Sequence, residues 1–533
     1  MFSSNFKNIG TLTRFLIRRD RLRIPYWLIG ISFFTWMVPI SFADLYSTQR
    51  DRDVMAETMH NPAMTAMVGP GDLTNYTIGA MTAHQMLLLT AIVVGLMSIL
   101  LVGRHTRTDE EQGRIEMIRT LPVGRLSTIN ATLLELVLIN GILAFVIGFG
   151  LYALGIGSMG LEGSLLYGTT LGATGIFFAT VTAVFAQLFE SSRGVIGYSF
   201  AVLLVSYFVR AVGDIGNETL SAFSPLGWVT QTKIYTSNQW WPVQLLLGVS
   251  IILFLLANYL HAIRDLESGF IPAQSGRKHA SFLLQSPIGL AFRLQRTGTI
   301  SWAIGLFVIG ASYGSVMGDL ESFFAGNETL EQMLIGEEGY TLTDQFIPML
   351  LMVMGILATV PPIMAINKLS GEEKMNRMEH LISRVVSRTR LMGSYLCISI
   401  VNGFIMISLA TIGFWSTATT VMEEGLEFGT IYGAALAYYP AMLVMIGVAV
   451  LLIGFLPKLT SLIWLYVVYS FVVLYLGGLF QLPDWTLKFS PFGYVPQLPI
   501  EDMDWTAIII LCIIAVFIIA VGFIGYNKRD IDG

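Results

Sequence analysis

Apolar runs of about twenty residues return twelve times along this chain, and they constrain its fold more than any other feature. About 20 apolar residues cross a bilayer's hydrocarbon core as a helix, and in hydrocarbon a helix satisfies its own backbone hydrogen bonds. The runs therefore predict an all-α polytopic membrane protein with twelve transmembrane helices. Composition agrees: 54% of residues are hydrophobic and 13% charged, with a mean hydropathy of +0.67, values of the membrane class. Cys397 and Cys512 lie inside apolar runs far apart in the chain, which indicates neither a disulfide framework nor a metal cluster. The basic N-terminal residues alternate with apolar ones and do not read as a cleavable signal.

The expected spans are residues 25–43, 78–102, 127–154, 164–189, 195–212 and 243–262, then 300–317, 342–366, 391–415, 429–455, 462–480 and 505–526. Residues 6–23 precede the first. Ile9, Leu12, Phe15, Leu16 and Leu22 approximate one face and Arg14, Arg18, Arg19, Arg21 and Arg23 supply charge, so a helix in the headgroup layer is expected. A second amphipathic candidate, residues 282–294, precedes span 7.

One charged stretch stands out between spans 2 and 3: Arg107–Arg125, RTDEEQGRIEMIRTLPVGR. A degenerate copy, SGEEKMNRMEHLISRVVSR, follows span 8 as Ser370–Arg388. Each carries adjacent carboxylates, Glu110 and Glu111 or Glu372 and Glu373, then Arg-x-Glu as Arg114 and Glu116 or Arg377 and Glu379. From the Arg onward the copies align at an offset of 263, with one extra residue read before the Arg of the second. Ile115, Ile118 and Leu121 fall on one side of a short amphipathic helix. A mere tether needs no particular charge order, so the recurrence points to a docking surface.

Two more landmarks repeat in the same order. Trp27, Gly30 and Asp44-Leu45 return as Trp302, Gly305 and Asp319-Leu320, and SPLGWVTQ (Ser224–Gln231) returns as SPFGYVPQ (Ser490–Gln497). They predict an internal duplication: a first six-span repeat over residues 1–265, a connector over 266–281 and a second repeat over 282–533. An even number of spans per unit makes the repeats parallel. With both termini in the cytoplasm, all but five of the 31 Lys and Arg fall on that side, the exceptions being Arg50, Arg52, Arg210, Lys233 and Lys488. This bias sets the orientation and turns both charged stretches inward.

The sequence holds no G-x-x-x-x-G-K-[ST] phosphate loop, and no Gly-Lys dipeptide at all. The chain is therefore expected not to be an enzyme and to carry no cofactor or metal. Charges inside the spans are few, although such charges usually mark ion coupling. A separate subunit is then the expected energy source.

The EE-x-G-R-x-E-x-x-x-x-x-P-V-x-R pattern after span 2, six spans per unit and the basic helix before span 1 resemble the permeases of type-2 ATP-binding-cassette exporters. Within these, the duplicated form with SP-x-G-[WY]-V is similar to the tetronasin-type (polyether antibiotic) resistance exporters. The resemblance implies two copies of a separately encoded cytoplasmic ATPase as partners, which would bind ATP and Mg2+. It implies that Glu110, Glu111, Arg114 and Glu116 form a coupling helix, matched by Glu372, Glu373, Arg377 and Glu379. The second copy departs from the pattern, with Met375 and Asn376 in place of the Gly and Val385 in place of Pro122. In that family the substrate path runs between spans 2 and 5 of the two halves. This makes Tyr198, Phe200, Tyr207, Trp464, Tyr466 and Tyr469 path candidates, and aromatic faces suit a large amphiphile or a masked cation.

The expected function is export of hydrophobic, antibiotic-like compounds across a bacterial cytoplasmic membrane. The alternatives are an exporter of lipid or cell-envelope precursors, a non-transporting membrane sensor with a cytoplasmic partner, and a secondary transporter.

Overall fold

The computed structural model describes residues 5–59, 62–216, 218–265, 268–272, 278–319, 342–374, 377, 386–422, 425–476, 483–498 and 500–529. The chain divides into two compact units, Met1–Gly276 and Arg277–Gly533. Among the described residues eleven helices are long and apolar enough to cross a membrane. The expected eleventh span is described as a shorter apolar helix of 15 residues, Leu462–Leu476.

In the first unit, α1 (Ile9–Arg19) leads into α2 (Arg23–Leu45), α3 (Gln49–Thr58) and α4 (Pro62–Val68). Then come α5 (Ile78–Gly103), α6 (Arg114–Arg119), α7 (Ser127–Ala153), α8 (Leu161–Leu188), α9 (Ser192–Gly216), α10 (Pro225–Thr230) and α11 (Trp241–Ile263). The polar segment after span 1 is thus partly helical. Thr48 opens α3 with a capping box, its side chain accepting from the Asp51 amide while Asp51 accepts from the Thr48 amide.

The core of this unit forms around α8, which packs on α5, α7 and α11. Small residues make that possible: a Cβ at Gly168 would sit 2.1 Å from the Ala144 carbonyl oxygen, so only glycine lets α7 and α8 approach this closely. The inner face of α1, Leu12 and Leu16, packs on Ala131 of α7 and on Ile118 and Val123 of the first charged stretch. Phe15 and Leu22 remain exposed. One face of the expected headgroup helix is thus taken by protein.

The second unit contains α12 (Pro287–Val316), α13 (Leu342–Lys374), α14 (Arg388–Val421), α15 (Phe428–Leu436), α16 (Tyr439–Phe455), α17 (Leu462–Leu476) and α18 (Trp505–Lys528). A Cβ on Gly310 would lie 2.0 Å from the Ala410 carbonyl oxygen, which marks the closest seam of this unit, between α12 and α14. The expected span 10 is interrupted after Leu436, and Pro440 stands in the first turn of α16. Proline has no amide hydrogen to give the preceding turn, which fits the break.

The two entry regions differ. In the first unit the chain breaks at Asp20 between α1 and α2. In the second, the amphipathic candidate and span 7 merge after a short 3-10 turn, Phe282–Gln285, into the single 30-residue helix α12. Ser286 caps α12, accepting from the Gly289 amide at 3.1 Å, and Pro287 takes the first turn, where its missing N–H costs nothing.

Candidate functional site

The first charged stretch begins where α5 loosens. Arg104–Thr108 continues it as one π-helical turn, and Asp109–Glu111 adds a short helical piece. Gly113 follows at φ +69°, a left-handed conformation that favours glycine, and it opens α6. The glycine of the pattern therefore has a backbone role. Asn376 aligns with it at the same offset of 263 but lies outside the described residues, as does Val385.

Glu110 does not face outward. It is buried and accepts from the Arg264 guanidinium through both oxygens, at 3.0 and 3.1 Å. Arg107, 1% exposed, stands 3.3 Å from the same carboxylate and donates to the carbonyls of Ala186 and Ser268, each at 2.7 Å. Arg125 closes the arrangement by donating to the Arg264 carbonyl at 2.8 Å. The second unit builds the same lock. Glu373 accepts from Arg529 through both oxygens at 2.6 and 2.7 Å, and Arg388 donates to the Arg529 carbonyl at 2.7 Å. Asp109–Arg114 at 2.9 Å is likewise repeated as Glu372–Arg377 at 3.4 Å.

These bonds correct the sequence register. Glu110 corresponds to Glu373 and Asp109 to Glu372, so the offset of 263 runs through the whole stretch and the second copy has no extra residue. Adjacent glutamates in both copies had suggested pairing like with like, whereas the partner that each carboxylate binds decides it. The position after Glu110 is Glu111 in one copy and Lys374 in the other. Glu111 accepts from the Ser192 amide and hydroxyl at 2.7 Å, which caps α9.

The outward groups are different. Arg114 is 44% exposed on its side chain and Arg377 56%. Glu116 is exposed and its side chain makes no hydrogen bond or ion pair among the described residues, beside the exposed Met117 and Leu121. Glu379 lies outside the described residues. Half-burial and the nearby Arg125 lower the pKa of Arg119 from its ordinary value.

A second charged group ties the break before α2 to this stretch. Asp20 lies 2.8 Å from the His105 ring and pairs with Arg104, Arg19 pairs with Asp109 at 2.7 Å and contacts His105, and Glu135 of α7 lies 3.6 Å from His105. Asp20, His105 and Glu135 approach one another closely enough to suggest metal ligands. Two guanidiniums occupy the same space, so the group reads as an ion-pair network. None of its bonds has a counterpart by residue type: at the matching offsets stand Leu294, Gln295, Asn367, Lys368 and Ile398.

Three of the six aromatic path candidates tie their helices to other segments of the backbone. Tyr207 donates to the Met67 carbonyl at 3.2 Å, Tyr466 to Phe489 at 2.8 Å and Tyr469 to Thr486 at 2.9 Å. Trp464 is half-buried against the second core. Tyr198 is exposed and stacks on Phe189 at 4.2 Å, and Phe200 is exposed.

Missed from sequence were Arg264 and Arg529, although each is the basic residue just past the last span of its half. Arg107, Asp109 and the Asp20–His105 contact were missed as well.

The fold is that of a polytopic membrane protein, and comparison with known proteins defines its class as a permease. The family model described as "Multidrug efflux system permease Rv1217c, C-terminal domain" matches residues 11–260 and 284–527, and the chain belongs to that family. It is 32% identical to the multidrug efflux system permease protein Rv1217c of Mycobacterium tuberculosis (strain ATCC 25618 / H37Rv), over 99% of this chain and 96% of the relative. The chain is thus a homologue of an efflux permease along its whole length.

Proposed function

We propose that the chain is the transmembrane permease of an ATP-driven exporter of the type-2 ATP-binding-cassette kind, similar to the tetronasin-type exporters. It moves hydrophobic or amphiphilic antibiotic-like compounds out of a bacterial cell, and a separate ATPase powers it. Full-length similarity to a multidrug efflux permease is the observation that carries this reading. The repeated lock, Glu110–Arg264 and Glu373–Arg529, supports two ATPase seats on one chain and a duplication of twelve helices into two parallel repeats. Both stretches face the cytoplasm in the orientation that the positive charges favour, with both termini on that side. The buried carboxylates set the seats, and the exposed Arg114, Glu116 and Arg377 meet the partner. ATP and Mg2+ belong to that partner, and this chain does no covalent chemistry.

One permease chain per two ATPase subunits is the expected composition. Native mass measurement of the purified complex checks it; two permease chains per two ATPases would contradict two seats on one chain.

The substrate path runs along the exposed aromatic side chains. Tyr198→Leu and Phe200→Leu together keep apolar bulk and remove the aromatic faces, so expression should hold and resistance should fall several-fold. Tyr466→Leu and Tyr469→Leu remove loop tethers as well and should lower thermal stability by about 1 kcal/mol per lost hydrogen bond. Susceptibility and melting of each pair separate the two effects, and unchanged resistance in the first pair would move the path elsewhere.

A further inference from the structure

A cavity of about 870 Å³ opens in the first unit, around the N-terminal end of α5 and far along that helix from the charged stretch. Its volume lies in the range of small-molecule sites. One wall is apolar, with Ala80, Ala83, Leu87 and Leu88 of α5. The opposite wall is polar and comes from the segment after α10, including Gln231 and Lys233.

Rigid contacts hold this space open. Arg210 of α9 is fully buried, pairs with Asp214 at 2.9 Å and donates to the Ala66 carbonyl of α4 at 2.6 Å. His84 has both ring nitrogens in use, one with the Tyr76 hydroxyl and one with the Gly69 carbonyl, each at 2.8 Å. It is therefore a pin between α5 and the preceding loop.

The polar wall is strained. Lys233, Tyr235 and Asn238 all have positive φ, at 43°, 63° and 46°. Each costs about 1 kcal/mol or more, and such strain clusters at ligand clamps. Asn238 holds the turn by accepting from the Tyr235 amide at 2.9 Å, and Tyr235 is anchored to Ser164 of α8 at 2.9 Å. The effect is to present Lys233 at the cavity wall.

Two polar groups of the lining can donate to a ligand. Ser221 is 3% exposed, lines the cavity, and its hydroxyl has no hydrogen-bond partner among the described residues. A buried hydroxyl left unpaired costs about 1–3 kcal/mol, which a ligand acceptor would recover. Lys233 makes no ion pair among the described residues. Of the two carboxylates on the lining, Asp214 holds Arg210, and one oxygen of Asp72 accepts from the Thr74 hydroxyl at 2.6 Å and its amide at 3.2 Å. Those bonds, with a smaller contribution from the Lys233 charge, keep the Asp72 carboxyl below its ordinary pKa. At the spacing of 266 that separates Ser224 from Ser490, Leu476 stands for Arg210 and Phe480 for Asp214, so the pinning pair has no counterpart.

We propose that this cavity is a ligand site of the first unit alone, taking an amphiphile whose apolar body lies on α5 and whose oxygen-rich, acceptor-bearing or carboxylate end meets Lys233, Gln231 and Ser221. The inference deepens the export reading, for which the cavity is a holding site on the route out.

Binding by the permease alone separates the two. Monensin, a carboxylate with many ether oxygens, and ethidium, a cation without such acceptors, are titrated calorimetrically against the purified chain in nanodiscs. The expected result is monensin binding that Lys233→Glu and Ala83→Trp each weaken at least five-fold, with melting temperature and ethidium binding unchanged. Lys233 is exposed, so its variant keeps the test valid if Ala83→Trp misfolds. Monensin binding that is absent in the parent, or equal in parent and Lys233→Glu, overturns the site. ATP-dependent transport by the full complex is measured in parallel. Its absence beside intact, Lys233-dependent binding would refute the export reading and leave the cavity standing.

Discussion

Glu110→Ala should destabilise the first unit by about 3–5 kcal/mol, the cost of breaking a buried ion pair by removing one partner. The substitution leaves two guanidiniums, Arg107 and Arg264, buried beside each other with no carboxylate between them. Both also hold the Ser268 carbonyl, so the connector should loosen with them. Glu373→Ala should cost less. It strands one guanidinium, Arg529, which is 15% exposed and reaches water. Thermal melting of both variants in detergent, followed by fluorescence-detected size exclusion, compares the two. Equal losses would mean that Arg107 does not share the Glu110 charge.

Glu116→Ala should uncouple transport from ATP hydrolysis more than any other change in the two charged stretches. The side chain is exposed and has no partner among the described residues, so its removal costs the isolated chain nothing measurable. Against a partner a desolvated charge pair is worth about 2–5 kcal/mol on truncation, or roughly thirty-fold and upward in the coupled step. Arg114→Ala should follow closely, because its one bond to Asp109 leaves the side chain 44% exposed. Arg377→Ala should lose less than about three-fold. The residue is more than half exposed and its bond to Glu372 is long, at 3.4 Å, which is the geometry of a weak surface pair. Substrate-stimulated hydrolysis in the reconstituted complex reads all three. A second-half variant worse than Glu116→Ala would reverse the asymmetry and keep the docking role; parental behaviour in every variant would place the docking surface elsewhere.

Most of the helical layout was legible because its signal is local. A run of twenty apolar residues states its own length, and Gly113 and Pro122 mark the ends of a short helix by backbone preference alone. The ion-pair locks were not legible for the opposite reason. Glu110 and Arg264 are 154 residues apart, and no periodicity links them. Reading Glu110-Glu111 against Glu372-Glu373 followed residue type, yet side-chain partners set the true register one position over. Nor did sequence separate the entry regions. Asp20 and Gln295 occupy matching positions, but a charge gathered by Arg104 and His105 sits at a break, while the amide sits within α12. The aromatic residues of spans 5 and 11 drew attention by type, whereas Tyr207, Tyr466 and Tyr469 spend their hydroxyls on backbone carbonyls of other segments.

The measurement closest to the central claim is ATP-dependent uptake of a fluorescent amphiphile into inside-out vesicles carrying this chain with and without its ATPase. Uptake should require both proteins and ATP, fall at least ten-fold in Glu116→Ala, and persist when an uncoupler collapses the proton gradient. Uptake by this chain alone, driven by a proton gradient and indifferent to ATP, would contradict the account.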